Sequence, residues 1–305
     1  MSTKSMKVGE KIAAIQTAMM KKMRRVSPFS IAMSTPMLGY QVIFFLIPVC
    51  YIFLLSLYRV EFFATVPAFT AENWIHIWSQ DYFWSAFGYS VLIGTVTAIL
   101  SSVISLPIAL YLGLSQSFLW RFLCLGIVIA PFFTNFVIRA HTWRGILGES
   151  GPINTLIRYV GGQSIQLVDS LVGTIIGTLS LSLPLVLLLQ TLSISAVDRT
   201  LISAGLNLNA RPVQAIFHII LPAARVGLAL GFAFSFVLSF GDFISPTIIG
   251  ASRPPVLSTL LVEQIRGGNH WPRASVVAVS MFTFLFTLVL ATILWAYKEP
   301  GGEKK

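Results

Sequence analysis

The residues of this chain best placed to do chemistry are two charges that lie inside long apolar runs. Asp242 is the one acidic residue well inside such a run, and Arg139 lies within another. A charged side chain at the centre of a membrane costs about 2.5–3.5 kcal/mol on insertion scales, so Asp242 should face the protein interior or a water-filled path. The nearby rings of Phe240, Phe243 and Phe132 suit such a path to a cation, through ion pairing and cation–π contact.

Two interpretations of Asp242 remain open at this point. It either contacts a solute or pairs with Arg139 as a structural bridge, and a free Arg139 would instead favour an anionic solute. Asn135 and Phe133 are assigned to the same translocation path. The neighbouring phenylalanines could also form a gate that closes by dewetting, although ordinary packing is the simpler explanation for so abundant a residue.

A second informative segment is the polar, helix-forming stretch 195–222, which separates two long apolar runs. Ser195 begins a Ser-x-x-Asp motif with Asp198, a capping-box-like helix start. The spacing i, i+3, i+4, i+7 then predicts an apolar stripe on one helix face, made of Leu201, Ala204, Gly205 and Leu208. Small residues at its centre would let another surface approach the backbone closely, as a helix laid into a groove requires.

The end of this segment predicts a sharp turn and a second helix. Asn209 is suited to a left-handed helix C-terminus, and Pro212 to the first turn of a new helix. That helix should direct its apolar residues towards the membrane and stop at Pro222; they are Val213, Ile216, Phe217, Ile220 and Leu221. The alternative is an interfacial hairpin that packs only under its own bundle.

The composition defines the elements that must position these residues. Of 305 residues, 55% are hydrophobic and 10% charged, with a mean hydropathy of +0.81, which is typical of a multi-span membrane protein. Runs of about 20 residues or more, enough to cross a bilayer, lie near Met37–Tyr58, Ser85–Leu114, Phe122–His141, Leu171–Leu192, Val226–Ile249 and Ala274–Tyr297. The predicted fold is all-α, an integral membrane bundle of six transmembrane helices.

The basic residues predict the orientation of this bundle. Leaving Arg139 aside, the terminal segments and even-numbered loops hold 14 Lys and Arg, against 6 in the alternate loops, so both termini and the 195–222 loop should be cytoplasmic. Three parts are expected: a basic N-terminal segment 1–36, a six-span domain 37–297 and a tail 298–305. The first 25 residues read either as a basic amphipathic helix on an anionic leaflet or as a disordered basic leader.

Several classes of function are disfavoured by what the sequence lacks. There is no basic face with interleaved aromatics, so nucleic acid is not an expected partner. Motifs such as His-Glu-x-x-His and Gly-x-Ser-x-Gly are missing, the four histidines are scattered, and the two cysteines lie within predicted spans, so no catalytic or metal site is expected. A membrane enzyme and a self-sufficient channel or carrier remain distant alternatives.

The loop resembles the EAA loop of ABC-importer permeases, whose pattern is Glu-Ala-Ala, three residues, Gly, nine residues, Ile-x-Leu-Pro. Here the pattern reads Ser203-Ala204-Gly205, three residues, Asn209, nine residues, Ile219-x-Leu221-Pro222. Serine replaces the glutamate, glycine the second alanine, and asparagine the glycine. Ser203 therefore lacks the carboxylate that in this family is expected to meet the ATPase.

The resemblance extends over roughly 37–297 and is similar to the permeases of spermidine/putrescine importers. It is carried by the run Ala130-Pro131-Phe132-Phe133-Thr134-Asn135-Phe136-Val137-Ile138-Arg139, by Gly151-Pro152-Ile153-Asn154, and by Trp271-Pro272 with Ala274. It implies a bacterial inner-membrane protein with a polyamine as solute; another small amine or an anionic solute is the alternative.

The resemblance also implies partners and a coupling role. Such permeases work with a second permease, two copies of an ATP-binding subunit and a periplasmic substrate-binding protein. ATP and Mg would be bound by the partner ATPase and no cofactor by this chain, which contains no Gly-Lys dipeptide and therefore no phosphate-binding loop of that type. The expected ATPase-coupling residues are Asp198, Leu201, Ser203, Ala204, Gly205, Leu208, Asn209, Ile219, Leu221 and Pro222.

Overall fold

The structure, a computed structural model, describes residues 28–61, 64–115 and 117–298. The predicted amphipathic helix in the first 25 residues and almost all of the predicted tail 298–305 lie outside these ranges. The chain divides into two units, 1–54 and 55–305.

The described elements are almost all helical, with one short antiparallel hairpin of two strands. In chain order they are α1 (Pro28–Gln41), a π-helical turn (Val42–Leu46), α2 (Ile47–Ser56), β1 (Arg59–Glu61), β2 (Ala64–Val66), α3 (Glu72–Trp78), α4 (Asp81–Leu114), α5 (Phe118–Ile129), a 3₁₀ turn (Ala130–Phe133), α6 (Phe136–Leu147), α7 (Pro152–Tyr159), α8 (Leu171–Ser195), α9 (Arg199–Asn207), α10 (Pro212–Ala215), a π-helical turn (Ile216–Ile220), α11 (Leu221–Ala223), α12 (Arg225–Gly241), α13 (Ile244–Ile248), α14 (Leu257–Gly268) and α15 (Trp271–Tyr297).

The first unit contains most of a long apolar helix, whose described side chains are exposed or partly exposed up to the end of the unit at Leu54. Its membrane-length part, Thr35–Ser56, has none of its most apolar window buried. A helix that is apolar on every side is suited to lipid or to another membrane helix rather than to water. The helix begins at Pro28, so the predicted boundary at 36/37 falls inside it.

The centre of the second unit is formed by α4, α8 and α12, which pack along much of their length. Three pairs of buried polar side chains join them: Thr97 with Thr178 at 3.0 Å, Ser101 with Ser235 at 2.8 Å, and Ser105 with Gln190 at 2.8 Å. Small and hydroxyl residues allow close helix packing in a membrane, where polar side chains bond across helices.

Four described helices are long and apolar enough to cross a membrane: Thr35–Ser56, Asp81–Leu114, Leu171–Ser195 and Trp271–Tyr297. Two further candidates are bent pairs, Phe118–Phe133 with Phe136–Tyr159 at 96°, and Pro212–Ala223 with Arg225–Gly241 at 73°. The count is therefore four to six by length and composition, and six remains a prediction.

The predicted third and fifth spans are not continuous helices. The span predicted over Phe122–His141 breaks after the turn Ala130–Phe133, where Pro131 has no N–H to donate and the Asn135 side chain begins a new helix. The span predicted over Val226–Ile249 ends at Gly241, and Asp242 adopts an extended backbone.

Candidate functional site

Asp242 lies at the break between α12 and α13, not within a helix as the sequence predicted. Its Oδ1 accepts hydrogen bonds from the backbone N–H groups of Ile244 at 2.8 Å and Ser245 at 3.3 Å. These bonds cap the N-terminus of the short helix α13. Its Oδ2 is buried and has no hydrogen-bond partner within the described ranges. One oxygen of this carboxylate is therefore held by backbone N–H groups, and the other is available to a ligand.

A small cavity of about 10 Å³ lies beside this carboxylate, between α6, α8 and the break. Its walls include Phe136, Arg139, Trp143, Ser180 and Ser245. A volume of this size holds about one water molecule. The site therefore brings together one carboxylate, one guanidinium, two hydroxyls and two aromatic rings around a small space.

Arg139 lines the same cavity but does not form an ion pair with Asp242. Its Nη1 donates to the Pro131 carbonyl at 3.1 Å, and its guanidinium lies 5.0 Å from the centre of the Phe136 ring. The ion pairs seen among the described residues are Arg59–Glu72 and Arg144–Asp169. In this conformation the structural bridge between Arg139 and Asp242 is not made.

The other residues predicted for the path do not gather at one place. Asn135 caps α6, accepting from the Val137 N–H at 2.8 Å. Phe132 is half-buried, whereas Phe133 is 85% exposed and Phe243 is 45% exposed. Phe240 is 1% exposed and stacks in the core on Phe236 and Phe284, so its ring does not line this cavity, and its place on the path stays a prediction.

Arg144 and Asn154 carry contacts that sequence reasoning missed. Arg144 donates to Asp169 at 3.0 Å and also to the Ile248 carbonyl, at the C-terminal end of α13. Buried Asn154 donates to the carbonyls of Gly148 and Ile165 at 3.0 Å and accepts from the Ile165 N–H. The partners are distant in sequence or are backbone atoms, so no spacing pattern signalled them.

The loop predicted to dock folds as helix, turn and helix. Asp198 begins α9, because its carboxylate accepts from the Thr200 N–H at 2.8 Å. That backbone hydrogen bond holds the pKa of the Asp198 carboxyl below its usual range. Ser195 does not cap this helix as predicted: it is the last residue of α8, and its hydroxyl donates to the Leu192 carbonyl.

The turn after α9 has the geometry predicted from Asn209. This residue has φ +64°, in the left-handed region. The Asn209 N–H donates to the Leu206 carbonyl at 3.0 Å and the Ala210 N–H to the Gly205 carbonyl at 3.2 Å. These two bonds form a Schellman motif, and Pro212 begins the second helix as predicted.

The predicted apolar stripe on α9 divides between two environments. Leu201 and Leu208 are exposed, at 53% and 85%, and Ala204 and Ser203 are exposed with them. Gly205 instead faces the Ile219 side chain of the second helix, and a Cβ there would collide with it. The small residue at 205 thus serves a contact within the chain.

The second helix runs past Pro222 to Ala223, so the predicted end at Pro222 was one residue short. The chain then bends by 73° into α12. Ile220 is buried against Ile194 and Ala224, while Val213 and Phe217 are exposed. The loop is therefore packed on the end of α8 on one side and free on the other.

Among the described residues, no group of three or more His, Cys, Asp or Glu side chains could hold a metal ion. The two cysteines, Cys50 and Cys124, are free thiols.

No family model matches the chain. Among curated relatives, it is 25% identical over 233 residues to the spermidine/putrescine transport system permease protein PotB of Haemophilus influenzae, covering 75% of this chain and 78% of the relative. It is 24% identical over 234 residues to the inner membrane ABC transporter permease protein YdcU of Escherichia coli, covering 70% and 72%. A ferric transport system permease, FbpB of Actinobacillus pleuropneumoniae, is 23% identical over 77% of this chain and 34% of that protein.

Solved structures show the same class of fold. A bacterial ABC transporter that imports the acidic polysaccharide alginate aligns with a TM-score of 0.70 and 15% identity, covering 90% of this chain and 96% of that chain. The same kind of transporter in complex with an alginate-bound periplasmic protein aligns with a TM-score of 0.67. At 15% identity these likenesses are of fold alone.

The chain thus resembles the permease subunits of binding-protein-dependent ABC importers, including those named for spermidine and putrescine. These relatives are transport components and not enzymes, which agrees with the predicted transport role. The named solutes of the relatives and neighbours range from polyamines to iron and an acidic polysaccharide.

Proposed function

We propose that this chain is a transmembrane subunit of a bacterial ABC importer and forms half of the path for a small organic cation of the polyamine type. The observation that carries the proposal is the loop 198–223. It is a capped helix–turn–helix with one exposed face, and it continues through a single bend into α12, the helix that ends at Gly241, next to Asp242.

The loop is built to transmit a movement. Its two helices are joined by the Schellman turn at Asn209 and by the contact between Gly205 and Ile219, so a force on α9 reaches α12 through packed elements. The exposed apolar side chains Leu201 and Leu208 offer a face for a partner helix or groove. In the proposed mechanism, closure of an ATPase dimer moves α9, swings α12 and exchanges inward-open and outward-open states.

The charges at the cavity favour a cation over an anion. Arg139 already donates to Pro131 and stacks on Phe136, whereas Asp242 Oδ2 has no partner among the described residues. A buried carboxylate oxygen without a partner gains most from a positive group. The names of several relatives point the same way, and an anionic solute within the same importer class is the alternative.

The proposed assembly contains a second permease, two ATP-binding subunits that hold ATP and Mg, and a periplasmic binding protein, in the bacterial inner membrane with both termini of this chain in the cytoplasm. A relative named as an inner membrane permease and the basic bias of the predicted cytoplasmic segments support this arrangement. A channel that works alone or a membrane enzyme would not need the exposed loop.

The test is reconstitution of the complex that copurifies with this chain into liposomes, followed by a solute screen for stimulation of ATP hydrolysis. We expect an ATPase and a second permease in the complex, and stimulation by diamines or triamines bound to the partner binding protein. Extraction of the chain with neither subunit would contradict the importer proposal. Stimulation by anions alone would leave the importer standing and overturn the cationic solute.

A further inference from the structure

A groove between α12 and α15 is not used by anything proposed above. It has a volume of about 630 Å³ and lies at the end of these helices next to the loop 198–223. Its lining residues are Leu221, Arg225, Leu228, Ala229, Phe232, Ala291, Thr292 and Trp295. This volume is in the range of pockets that hold small-molecule ligands.

The groove is polar at one end and apolar along the rest. Arg225 begins α12 and Trp295 lies near the end of the antiparallel α15, so both mark the end of the groove beside the loop. Phe232 lies seven residues further along α12, about 10 Å deeper at 1.5 Å per residue. About 10 Å is two thirds of the hydrocarbon thickness of one leaflet.

Arg225 is half-buried, and its guanidinium makes no hydrogen bond or ion pair with any residue of 28–61, 64–115 or 117–298. The exposed rings of Trp295 and Tyr297 place this end of α15 at the level that aromatic residues favour, the membrane–water interface. The guanidinium of Arg225 therefore lies at headgroup depth, at one end of an apolar groove that extends into the membrane.

We propose that this groove binds an anionic phospholipid of the leaflet on the side of the loop. Its phosphate would pair with Arg225, and one acyl chain would lie along Leu228, Ala229 and Phe232. This occupant matches both the charge and the apolar length of the groove. An apolar helix from any polypeptide would cover the guanidinium without neutralising it, which is costly in a membrane.

A lipid in this groove would also contact the bend between the loop and α12. Arg225 follows directly on Ala224, the residue at which the chain turns by 73°. A phospholipid held by Arg225 and Leu221 contacts both arms of this bend. The inference does not depend on which solute is carried.

The experiment uses the complex purified with this chain, stripped of lipid and titrated with phosphatidylglycerol or with phosphatidylcholine of the same acyl chains. Lipid adducts are counted by native mass spectrometry. We expect phosphatidylglycerol to bind the wild type about fivefold more tightly than phosphatidylcholine, the factor expected for one basic side chain beside an anionic lipid, and Arg225→Gln to remove this preference. Arg121→Gln, a control arginine stacked on Phe118 outside the groove, should keep it.

A second variant tests the apolar part without touching the charge. Ala291 is exposed on the groove wall, so Ala291→Phe should fill the groove and weaken the binding of both lipids. Leu290 is an exposed neighbour outside the lining, and Leu290→Phe should leave the binding of both lipids unchanged. Unchanged lipid binding in both Arg225→Gln and Ala291→Phe would overturn the proposal. A photoreactive probe on Ala291→Cys should label lipid; labelling of a polypeptide would overturn it as well.

Discussion

The side chain of Ile219 lies directly on the backbone of Gly205, so the two helices of the loop touch where a side chain on residue 205 would collide. This contact packs the two short helices against each other, since either helix would be only marginally stable alone. Gly205, which the sequence predicted to face an ATPase, thus also makes a packing contact within the chain.

The first prediction follows from this contact. Gly205→Ala should raise the thermal midpoint of the purified complex by less than Gly88→Ala does, because the added methyl must displace the terminal methyl of Ile219 from this contact. Gly88→Ala is the matched control, since nothing lies within 4 Å of its Cβ position and alanine favours a helix by about 1 kcal/mol. An equal rise for both variants would show that Gly205 is not tightly packed.

The second prediction concerns the cap of α9. The Thr200 N–H lowers the pKa of the Asp198 carboxyl in the folded state, so its stabilising effect is present above the unfolded pKa and is lost as pH falls through the folded value. Amide exchange of residues 200–202, corrected for intrinsic rates, should therefore show less protection at acidic pH. In Asp198→Asn, which keeps a capping oxygen, protection should not depend on pH, and an unchanged acid-dependent loss there would refute the assignment.

The third prediction separates the two oxygens of Asp242. Asp242→Asn retains an acceptor for the Ile244 and Ser245 N–H groups and removes the charge. We expect an assembled complex whose uptake of a cationic solute falls by about tenfold or more, as the loss of one hydrogen bond to a charged group implies. Asp242→Ala should also lower the thermal midpoint, because α13 loses its cap. Wild-type uptake by Asp242→Asn would remove this carboxylate from the path.

The fourth prediction tests the polar contacts inside the bundle. Ser105 donates to the side chain of Gln190, whose amide donates in turn to the Ser102 carbonyl at 3.2 Å. A double-mutant cycle of Ser105→Ala and Gln190→Ala, read by thermal unfolding, should give a coupling energy of about 0.6–1.7 kcal/mol, as for other interhelical bonds in membranes. A coupling energy of zero would mean that the bond between Ser105 and Gln190 adds nothing to the packing of α4 on α8.

Local patterns predicted the loop well because its signals are local. The left-handed residue at Asn209 and the helix start at Pro212 depend on backbone preferences that each residue carries with it. The same reasoning failed at Ser195, because α8 extends through it and the next carboxylate, Asp198, takes the cap.

Hydropathy located the apolar runs but not their breaks. Windows of 20 residues average over the turn at Pro131 and the extended residue at Asp242. Composition likewise does not tell which way a side chain points, and the packing of Phe240 in the core becomes visible only in the fold. Contacts such as Arg144 with the Ile248 carbonyl join residues over a hundred positions apart and become visible only in the folded chain.

The central claim, that the exposed face of α9 docks on an ATP-binding subunit, is tested most directly by site-specific cross-linking in native membranes. Leu208→Cys, in a chain whose Cys50 and Cys124 are replaced by serine, should cross-link to an ATP-hydrolysing subunit, while Leu294→Cys, an exposed position on α15, should not. Labelling of Leu208→Cys by an impermeant reagent from outside, or cross-links only within this chain, would contradict the account.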